Sequence, residues 1–416
     1  MFRNLLNKMH PKDISIEAFN YDLPDERIAL HPLKERDASK LLLYKNGVIS
    51  ETVFENIDEH LPKDSLLVFN NSKVINARIK FEKASGSIIE IFCLEPYGSI
   101  TEYSSVMQST NNVQWKCLVG GAAKWKTDLL QKEIIINNEK IILTAKKIEK
   151  QTEAFIIEFS WTPNQFSFAA IIEAAGFVPL PPYIKRNTDK ADTSRYQTIY
   201  AAHDGSVAAP TAGLHFSENI FKKLSQKNIE KAYLTLHVGA GTFKPVKADT
   251  MEAHEMHAEY IDIYIETIKT IKNNLGKITA VGTTSLRTIE TLYWIALKIY
   301  KNKNEKNLVI TQWDAYNIED EQNEIATNIV LENLIAWMQE NNLQHIFTRT
   351  QILIAPGYTF RIANMLVTNF HQPKSTLLLL VAAAIGEDWK KMYNYAMQNE
   401  FRFLSYGDSN LIYINT

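Results

Sequence analysis

The pattern of apolar and polar residues changes along this chain, and its middle differs from both ends. Between about Val74 and Trp161, short runs rich in β-branched and aromatic residues alternate with turn residues, and no helical period stands out. The runs are Ile88–Leu94, Trp115–Val119, Glu133–Ile136, Ile141–Thr144 and Phe155–Phe159. Asn137 and Asn138 favour a hairpin turn between two of them. This middle region is therefore predicted to form a small antiparallel barrel or sandwich.

On both sides of the middle region, buried strands alternate with amphipathic helices. The predicted strands are Leu66–Phe69, Ile278–Val281 and Ile352–Ile354. The predicted helices are Phe166–Ala175 ending at Gly176, Leu286–Ile299, a helix carrying Val330, Leu334, Trp337 and Met338, and Leu377–Ile385 capped by Ser375 or Thr376. The predicted fold is an α/β main domain formed from both chain ends with an inserted small antiparallel β-barrel domain. Its predicted boundaries are 1–73, 74–162 and 163–416.

Composition narrows the class of protein without naming a function. Hydrophobic residues make up 45% of the 416 residues and charged residues 22%, which is typical of a globular protein. The net charge of −2 gives no overall basic signature, so a nucleic-acid partner has to be argued from local basic stretches. These stretches are Lys73, Arg78, Lys80 and Lys83, and then Lys222, Lys223, Lys227, Lys231, Lys244 and Lys247. Such clusters are also common on solvated faces.

The two cysteines and the apolar runs bear on the cellular compartment. Cys93 and Cys117 fit no metal-binding or redox spacing, which suits a reducing compartment. The start of the chain is too short and polar for a signal peptide. The longest apolar run, Leu377–Ile385, is well below the ~18 residues that span a bilayer. We expect a cytoplasmic protein.

Two loops are candidates for binding a ligand. The segment from Leu234 to Val246 runs from a strand into Gly239, Gly241 and Thr242, where backbone N–H groups can approach a ligand closely. Lys244 stands where a dinucleotide-binding fingerprint has its third glycine, and an ordinary tight turn is the alternative.

The second loop joins the strand that ends at Val281 to the helix that follows. Thr283, Thr284, Ser285 and Arg287 there suit a carboxylate or phosphate at a helix N-terminus. Simple capping by Thr284 or Ser285 is the alternative reading.

Four of the ten histidines lie in glycine-rich or turn-rich loops, where proton transfer is a plausible role. They are His215, His237, His254 and His257. A lone histidine is more often structural. The spacing of His254 and His257 is not that of a zinc protease motif, and no cysteine adds a ligand, so we expect no metal.

A proline-rich segment, Gly176 to Arg186, is a candidate RNA contact. Its prolines stiffen an extended backbone that presents Tyr183, Lys185 and Arg186, an aromatic ring beside two cations. A rigid connector between domains is the alternative, and the two roles are compatible.

Taken together, these segments resemble the S-adenosylmethionine:tRNA ribosyltransferase-isomerase family of queuosine biosynthesis. The matching blocks run in one order through the whole chain: Phe19–Ala29, Pro32–Leu42, Asn70–Arg78, Pro179–Arg186, Arg195–Tyr200, Gly205–Phe216, Leu236–Val246, His254–Glu259, Val281–Arg287, Pro356–Tyr358, Thr368–Thr376 and Phe403–Asp408. The sequence departs from the family pattern in a longer stretch between Glu290 and Ala355, at Phe177, where a histidine is common, and at Gly120–Ala123.

The resemblance implies a fold and a reaction. Members of the family are similar in having an α/β domain with an inserted β-barrel. They act as monomers and use neither a metal nor a redox cofactor. S-adenosylmethionine is consumed as a cosubstrate. Its ribosyl group joins the aminomethyl group of a 7-deazaguanine at the tRNA wobble position, and epoxyqueuosine-tRNA, adenine and methionine result.

Roles for individual residues follow from these blocks and from the chemistry that the reaction needs. Proton transfer is predicted for His215, His237, His254 and His257, with Glu259 as orienting carboxylate or alternative base. S-adenosylmethionine is predicted to bind Pro210, Thr211, Gly213, Gly239, Gly241, Thr242, Thr283, Thr284, Ser285 and Arg287. The anticodon arm is predicted to contact Arg78, Tyr183, Lys185, Arg186 and Lys374. The alternatives are an RNA methyltransferase using S-adenosylmethionine, which lacks its expected glycine-rich loop and acidic residue here, and a non-catalytic RNA-binding protein.

Overall fold

The computed structural model describes residues 10–98, 102–126, 129–239, 246, 248–317 and 325–415. They fall into two compact units. The first contains the described residues of Met1–Asn71, Pro210–Leu236 and Phe243–Thr416, and the second those of Ser72–Ala209 and His237–Thr242. The first unit is thus built from both ends of the chain. The domain boundaries 1–73, 74–162 and 163–416 stay a prediction.

The described strands and helices are numbered in chain order. The strands are β1 (Lys40–Lys45), β2 (Val48–Val53), β3 (Leu66–Asn70), β4 (Ser72–Val74), β5 (Arg78–Glu82), β6 (Ile88–Tyr97), β7 (Asn112–Gly120), β8 (Leu129–Ile136), β9 (Glu139–Lys150), β10 (Phe155–Thr162), β11 (Gly176–Phe177), β12 (His203–Ser206), β13 (Glu230–His237), β14 (Glu259–Tyr264), β15 (Ile278–Val281), β16 (His345–Thr350), β17 (Met365–Asn369) and β18 (Ser409–Tyr413). The helices are α1 (Tyr103–Gln108), α2 (Phe168–Ala175), α3 (Asp192–Arg195), α4 (Glu218–Gln226), α5 (Ile265–Asn273), α6 (Thr283–Lys301), α7 (Asp314–Asn317), α8 (Thr327–Glu340), α9 (Thr376–Ile385) and α10 (Asp388–Gln398).

The first unit contains a mixed nine-stranded sheet in the order β16-β14-β13-β3-β15-β17-β18-β1-β2. Its centre is parallel, because β13 and β15 both run parallel to β3, and β17 runs parallel to β15. Strands β3, β15 and β17 are buried at every position. Such uninterrupted burial is expected of parallel strands that are covered on both faces. The carboxyl ends of these strands therefore meet at one edge of the sheet.

The second unit contains a seven-stranded antiparallel sheet in the order β11-β5-β6-β7-β10-β9-β8 and a two-stranded parallel sheet, β12-β4. The larger sheet curls, because β5 and β8 contact each other although four strands separate them in the order. Burial and the neighbouring charge of Lys80 on β5 both lower the pKa of Lys132 on β8. Asn137 and Asn138, at φ of 50° and 65°, form the predicted hairpin turn between β8 and β9.

An α/β unit and a separate antiparallel sheet are thus confirmed, while closure of that sheet into a barrel stays a prediction. Helix α2 ends at Gly176 as predicted. Helix α9 is capped by Ser375, whose hydroxyl accepts from the Leu378 amide. Helix α1 lies in the strand-rich middle, where the sequence pattern predicts no helix. None of the described helices combines the length and hydropathy that crossing a membrane would need.

The strand predicted at Ile352–Ile354 is wrong. Strand β16 ends at Thr350, and the backbone beyond it bonds mainly to side chains instead of a neighbouring strand. The Ile352 amide donates to Thr350 Oγ1, and the Leu353 carbonyl accepts from the Tyr316 hydroxyl. The segment is apolar because it is buried, and burial alone does not separate a strand from an irregular buried segment.

Candidate active site

Polar side chains of the first unit gather where the central parallel strands end. Asn369 is the last residue of β17, and its Oδ1 accepts a 2.8 Å hydrogen bond from the Thr211 hydroxyl. Thr211 begins a 3-10 helix, Thr211–His215. The same short helix adjoins the turn after β15, because a Cβ on Gly282 would lie 3.8 Å from Ala212 Cβ. In α/β folds, ligands bind at this carboxyl edge, so the edge is the candidate site.

The first turn of α6 brings polar atoms to this edge. Gly282, at φ +88°, precedes the helix, and no side chain caps it. Capping by Thr284 or Ser285, the alternative interpretation of this turn, is therefore not observed. Thr284 Oγ1 and Ser285 Oγ are buried and have no hydrogen-bond partner among the described residues. Buried hydroxyls are rarely left without a partner, so these atoms suit a ligand.

Arg287, in the same turn, is buried with 7% of its surface exposed. Its Nη1 donates to Glu259, the first residue of β14, and its Nε donates to the Ile352 carbonyl at 3.3 Å. Its Nη2 is buried and, among the described residues, has no partner. The guanidinium is therefore fixed in direction by two contacts and keeps one nitrogen for an anion.

The segment from His254 to Met256 is held by two glutamines. Gln312 donates to the His254 carbonyl and accepts from the Met256 amide, both at 2.8 Å, and Gln351 donates to the Met256 carbonyl at 2.9 Å. Burial and the neighbouring His257 lower the pKa of half-buried His254, and Glu255 opposes that shift. His257 is exposed. Because Gln351 directly precedes Ile352, the backbone partner of Arg287, this segment is linked to the first turn of α6.

His215 lies at the end of the 3-10 helix and is buried. Its Nδ1 is 2.8 Å from Ser39 Oγ, and its Nε2 is 3.2 Å from Asn369 Nδ2. The ring also packs on Phe54, with centroids 5.0 Å apart. Burial lowers the pKa of His215 to about 4, so the ring is neutral near pH 7. Both ring nitrogens thus contact side chains of the protein itself.

His237 belongs to the second unit and is in a different environment. Its ring stacks on Tyr103, with centroids 4.3 Å apart and an interplanar angle of 17°. Burial, helped by His203, lowers the pKa of His237 to about 3, and its Nδ1 has no partner among the described residues. The stack needs a glycine at position 205, because a Cβ there would lie 2.3 Å from Tyr103 Cδ1.

The remaining predicted ligand-binding residues divide into three groups. Pro210, Gly213 and Thr283 are buried in the first unit. Gly239 is half-buried, and no described atom lies within 4 Å of where its Cβ would be, so the structure gives no steric reason for glycine. Gly241 and Thr242 lie outside the described residues, as do Lys244 and Lys247.

The predicted RNA contacts differ in how far their side chains are already engaged. Arg186 makes a bidentate bond to Asp192, with both N···O distances 2.7 Å, and only 14% of its side chain is exposed. A phosphate would have to compete with this buried carboxylate. Arg78 pairs with Glu90 at 2.6 Å, and Lys374 pairs with Glu17 at 2.7 Å.

Lys185 and Tyr183 precede Arg186 in the same proline-rich segment. Lys185 is exposed and Tyr183 is half-buried. Of the predicted RNA contacts, Lys185 is therefore the most accessible to a phosphate.

Within the first unit, the structure thus brings together the segments around Thr211, His254 and Ser285. Two residues of this group had no predicted role: Ser39 and Asn369. Asn369 carried a signal, because a polar residue at the carboxyl end of a buried strand often faces the site of an α/β fold. No group of three or more His, Cys, Asp or Glu side chains in the described ranges could hold a metal ion.

Comparison with known proteins gives near full-length matches. Residues 16–412 match the family described as queuosine biosynthesis protein. A protein of Halothermothrix orenii named S-adenosylmethionine:tRNA ribosyltransferase-isomerase is 37% identical over 96% of this chain and 100% of its own length. Proteins of the same name from Rickettsia bellii and Francisella tularensis subsp. novicida are 36% and 34% identical, over 96% and 95% of this chain and 99% and 98% of their own lengths. A crystal structure of an S-adenosylmethionine tRNA ribosyltransferase from Thermotoga maritima is 27% identical, covers 95% of this chain and 99% of its own, and has a TM-score of 0.43.

Proposed function

Since this chain belongs to the queuosine biosynthesis protein family, we propose that it is an S-adenosylmethionine:tRNA ribosyltransferase-isomerase. It transfers the ribosyl group of S-adenosylmethionine to 7-aminomethyl-7-deazaguanine at the wobble position of tRNA and isomerises it. The products are epoxyqueuosine-tRNA, adenine and methionine. S-adenosylmethionine is a consumed substrate, and the proposed reaction uses no metal or other cofactor.

One observation carries this proposal. A relative with that name is 37% identical over 96% of this chain and 100% of its own length, so the match leaves out little of either protein. The cluster of unpartnered buried polar atoms on α6 supports it, because the reaction needs a site for a charged cosubstrate.

The first turn of α6 suits the methionyl carboxylate of S-adenosylmethionine. The helix N-terminus favours an anion, Thr284 and Ser285 supply hydroxyl donors, and Arg287 supplies a guanidinium nitrogen. Thr283 and Gly213 are buried in the same unit. This turn therefore binds and orients the cosubstrate and has no proton-transfer role.

The chemistry of the reaction asks for proton-transfer groups in addition. The sulfonium acidifies the adjacent ribosyl protons, so a base can start the rearrangement, and a proton on adenine makes it a better leaving group. The attacking amine must be neutral, which a base or a desolvated site achieves. His254 and His257 are candidates because they adjoin the α6 turn through Gln351, and His237 is a further candidate.

For the tRNA, we propose that the anticodon arm is the bound element. Lys185 and Tyr183 are the primary contacts, and Arg78 and Lys374 lie on further contact surfaces. Exposed Lys185 suits a phosphate, and Tyr183 suits a base. We further propose that the seven-stranded sheet closes into a barrel and that the protein acts as a cytoplasmic monomer.

A labelling experiment tests the reaction. The protein is incubated with tRNA containing the aminomethyl deazaguanine and with S-adenosylmethionine labelled in the ribose. The expected result is label in the tRNA, together with free adenine and methionine. S-adenosylhomocysteine with a methylated tRNA would show a methyltransferase instead, and tRNA binding without turnover would show a binding protein.

A further inference from the structure

Four side chains form a hydrogen-bonded row at the carboxyl edge of the nine-stranded sheet. Ser39 Oγ lies 2.8 Å from His215 Nδ1, Asn369 Nδ2 lies 3.2 Å from His215 Nε2, and Thr211 Oγ1 lies 2.8 Å from Asn369 Oδ1. Ser39, His215 and Asn369 are buried, with 2%, 5% and 2% of their surfaces exposed, whereas Thr211 is half-buried. Thr211 is therefore the member of the row that a ligand can reach.

The orientation of the Asn369 amide decides the direction of the row. Its Nδ2 also faces the backbone carbonyl of Asp408 at 3.5 Å. A carbonyl only accepts hydrogen bonds, so the amide nitrogen must be the atom that faces it, and the amide oxygen faces Thr211. The nitrogen then donates to His215 as well, and His215 Nε2 has to be the unprotonated ring nitrogen.

The other side of His215 agrees with this assignment. A neutral imidazole with an unprotonated Nε2 carries its proton on Nδ1, which faces Ser39 Oγ, an atom that can accept. The Arg36 backbone carbonyl also accepts a hydrogen bond from the ring.

The three hydrogen bonds of the row therefore all run in one direction, from Thr211 towards Ser39. His215 donates to Ser39, Asn369 donates to His215, and Thr211 donates its only hydroxyl proton to Asn369. The Thr211 oxygen then offers a ligand lone pairs alone. A ligand group that binds it must be a donor. The donors of S-adenosylmethionine are its ribosyl hydroxyls, its ammonium group and its adenine amino group, and analogues that lack one ribosyl hydroxyl distinguish the first from the other two.

We propose that His215 is a positioning residue that, through Asn369, commits Thr211 to accept a hydrogen bond from a ribosyl hydroxyl of S-adenosylmethionine. This inference rests on the proposed function and specifies how the cosubstrate is bound. It replaces proton transfer by His215 with an indirect role, because both ring nitrogens are hydrogen-bonded to side chains of the protein itself.

Two substitutions of His215 separate the roles. In His215→Gln, the Oε1 atom can accept from Asn369 but cannot transfer a proton near neutral pH, whereas His215→Ala lacks an acceptor. Affinity for S-adenosylmethionine is measured by calorimetry, adenine release in a single turnover, and folding by thermal denaturation. His31→Gln, at an exposed histidine, is the matched control.

The expected results differ for a positioning residue and a base. For positioning, the Gln variant keeps affinity and rate within about threefold of wild type, and the Ala variant loses at least about tenfold in affinity. If His215 were the base, both variants would lose about a hundredfold or more in rate. Equal losses in the two folded variants would overturn the proposal.

The pH profile gives a second readout. The charged groups that face His215 are Asp408, which favours its protonation, and Arg402 and Arg36, which oppose it. Burial outweighs them and keeps the pKa of His215 at about 4. The Gln variant should therefore keep the wild-type profile between about pH 5.5 and 8.5. Loss of one limb of the profile in this variant would contradict a positioning role.

The ligand group is tested with Thr211→Val and two analogues. Wild type should bind either 2′-deoxy or 3′-deoxy S-adenosylmethionine about tenfold more weakly than the parent compound. Thr211→Val should bind that analogue and the parent compound with equal affinity. Discrimination that survives in Thr211→Val would overturn the hydrogen bond to the ribose. This test uses binding alone, so a failure of the proposed reaction would appear separately, as S-adenosylhomocysteine in place of adenine and methionine.

Discussion

Two adjacent turns of helix α6 differ in whether their buried polar groups have hydrogen-bond partners. In the first turn, Thr284 Oγ1, Ser285 Oγ and Arg287 Nη2 have no partners among the described residues. One turn later, the buried carboxylate of Glu290 accepts four hydrogen bonds. They come from the Tyr358 hydroxyl and from the amides of Arg361, Ile362 and Ala363, at 2.8 to 3.0 Å. Both turns belong to the same helix.

This difference distinguishes buried polar groups that stabilise the fold from buried polar groups that bind a ligand. A buried polar group that stabilises a fold has to be satisfied by that fold, since an unsatisfied one costs free energy. Glu290 meets this requirement and fixes the segment from Tyr358 to Ala363 against α6. The first turn does not meet it, so we infer that its partners come from a ligand.

The largest effect is expected for Arg287→Met, because Arg287 both pairs with buried Glu259 and keeps one guanidinium nitrogen for the ligand. It leaves the buried Glu259 carboxylate without its guanidinium and should cost about 3 to 5 kcal/mol of unfolding free energy, besides abolishing S-adenosylmethionine binding. Adding Glu259→Gln should restore most of the stability but none of the binding. Denaturant unfolding and calorimetry measure the two quantities, and recovery of both would contradict a binding role for Arg287.

Glu290→Ala should come next and affect stability alone. Four donors lose their acceptor, so the free energy of unfolding should fall by about 3 kcal/mol. The folded fraction should bind S-adenosylmethionine within a few fold of wild type. A matched comparison is Glu340→Ala, at an exposed glutamate whose loss should change stability little. Specific loss of binding in folded Glu290→Ala would show that Glu290 contributes to the ligand site.

A smaller effect is expected in the second unit, where His237 Nδ1 is another buried atom without a described partner. A Cβ in Gly205→Ala would lie 2.3 Å from Tyr103 Cδ1 and 2.8 Å from His237 Nδ1, so the stacked rings must move. We expect about 2 kcal/mol of destabilisation. Gly276→Ala is the control, because its φ is also positive and no atom lies within 4 Å of the added Cβ. Equal thermal shifts in the two variants would show backbone strain alone.

The smallest effect is a pH dependence from a histidine with no ligand role. Burial lowers the pKa of His371 to about 3, while its Nε2 lies 2.9 Å from Thr368 Oγ1. The unfolded chain therefore takes up a proton first, and stability should fall as pH drops from about 6.5 towards 3. At pH 5.5, the free energy of unfolding of His371→Gln should have fallen by about 1 kcal/mol less than that of wild type. Parallel pH curves for wild type and variant, from urea unfolding, would exclude this contribution.

The sequence predicted the elements whose pattern is local. Strand β15 and the turn at Asn137 follow from apolar runs and turn residues. It did not predict that Ile352–Ile354 is irregular, because the side chains that bind this backbone, such as Tyr316, are distant along the chain.

The candidate site divides in the same way. Ser285 and Arg287 were found because a strand, a turn and a helix lie side by side in the sequence. The role of Asn369 depends on Asp408 and Thr211, which only the folded sheet brings together.

The central claim is that the unpartnered atoms in the first turn of α6 bind the carboxylate of S-adenosylmethionine. Calorimetry of wild type and Ser285→Ala with S-adenosylmethionine and its decarboxylated analogue tests it directly. Wild type should prefer the carboxylated ligand by about a hundredfold. Ser285→Ala, at unchanged or higher stability, should prefer it about tenfold less strongly than wild type does. An equal preference in both proteins, or a Ser285→Ala protein that is less stable than wild type, would contradict the claim.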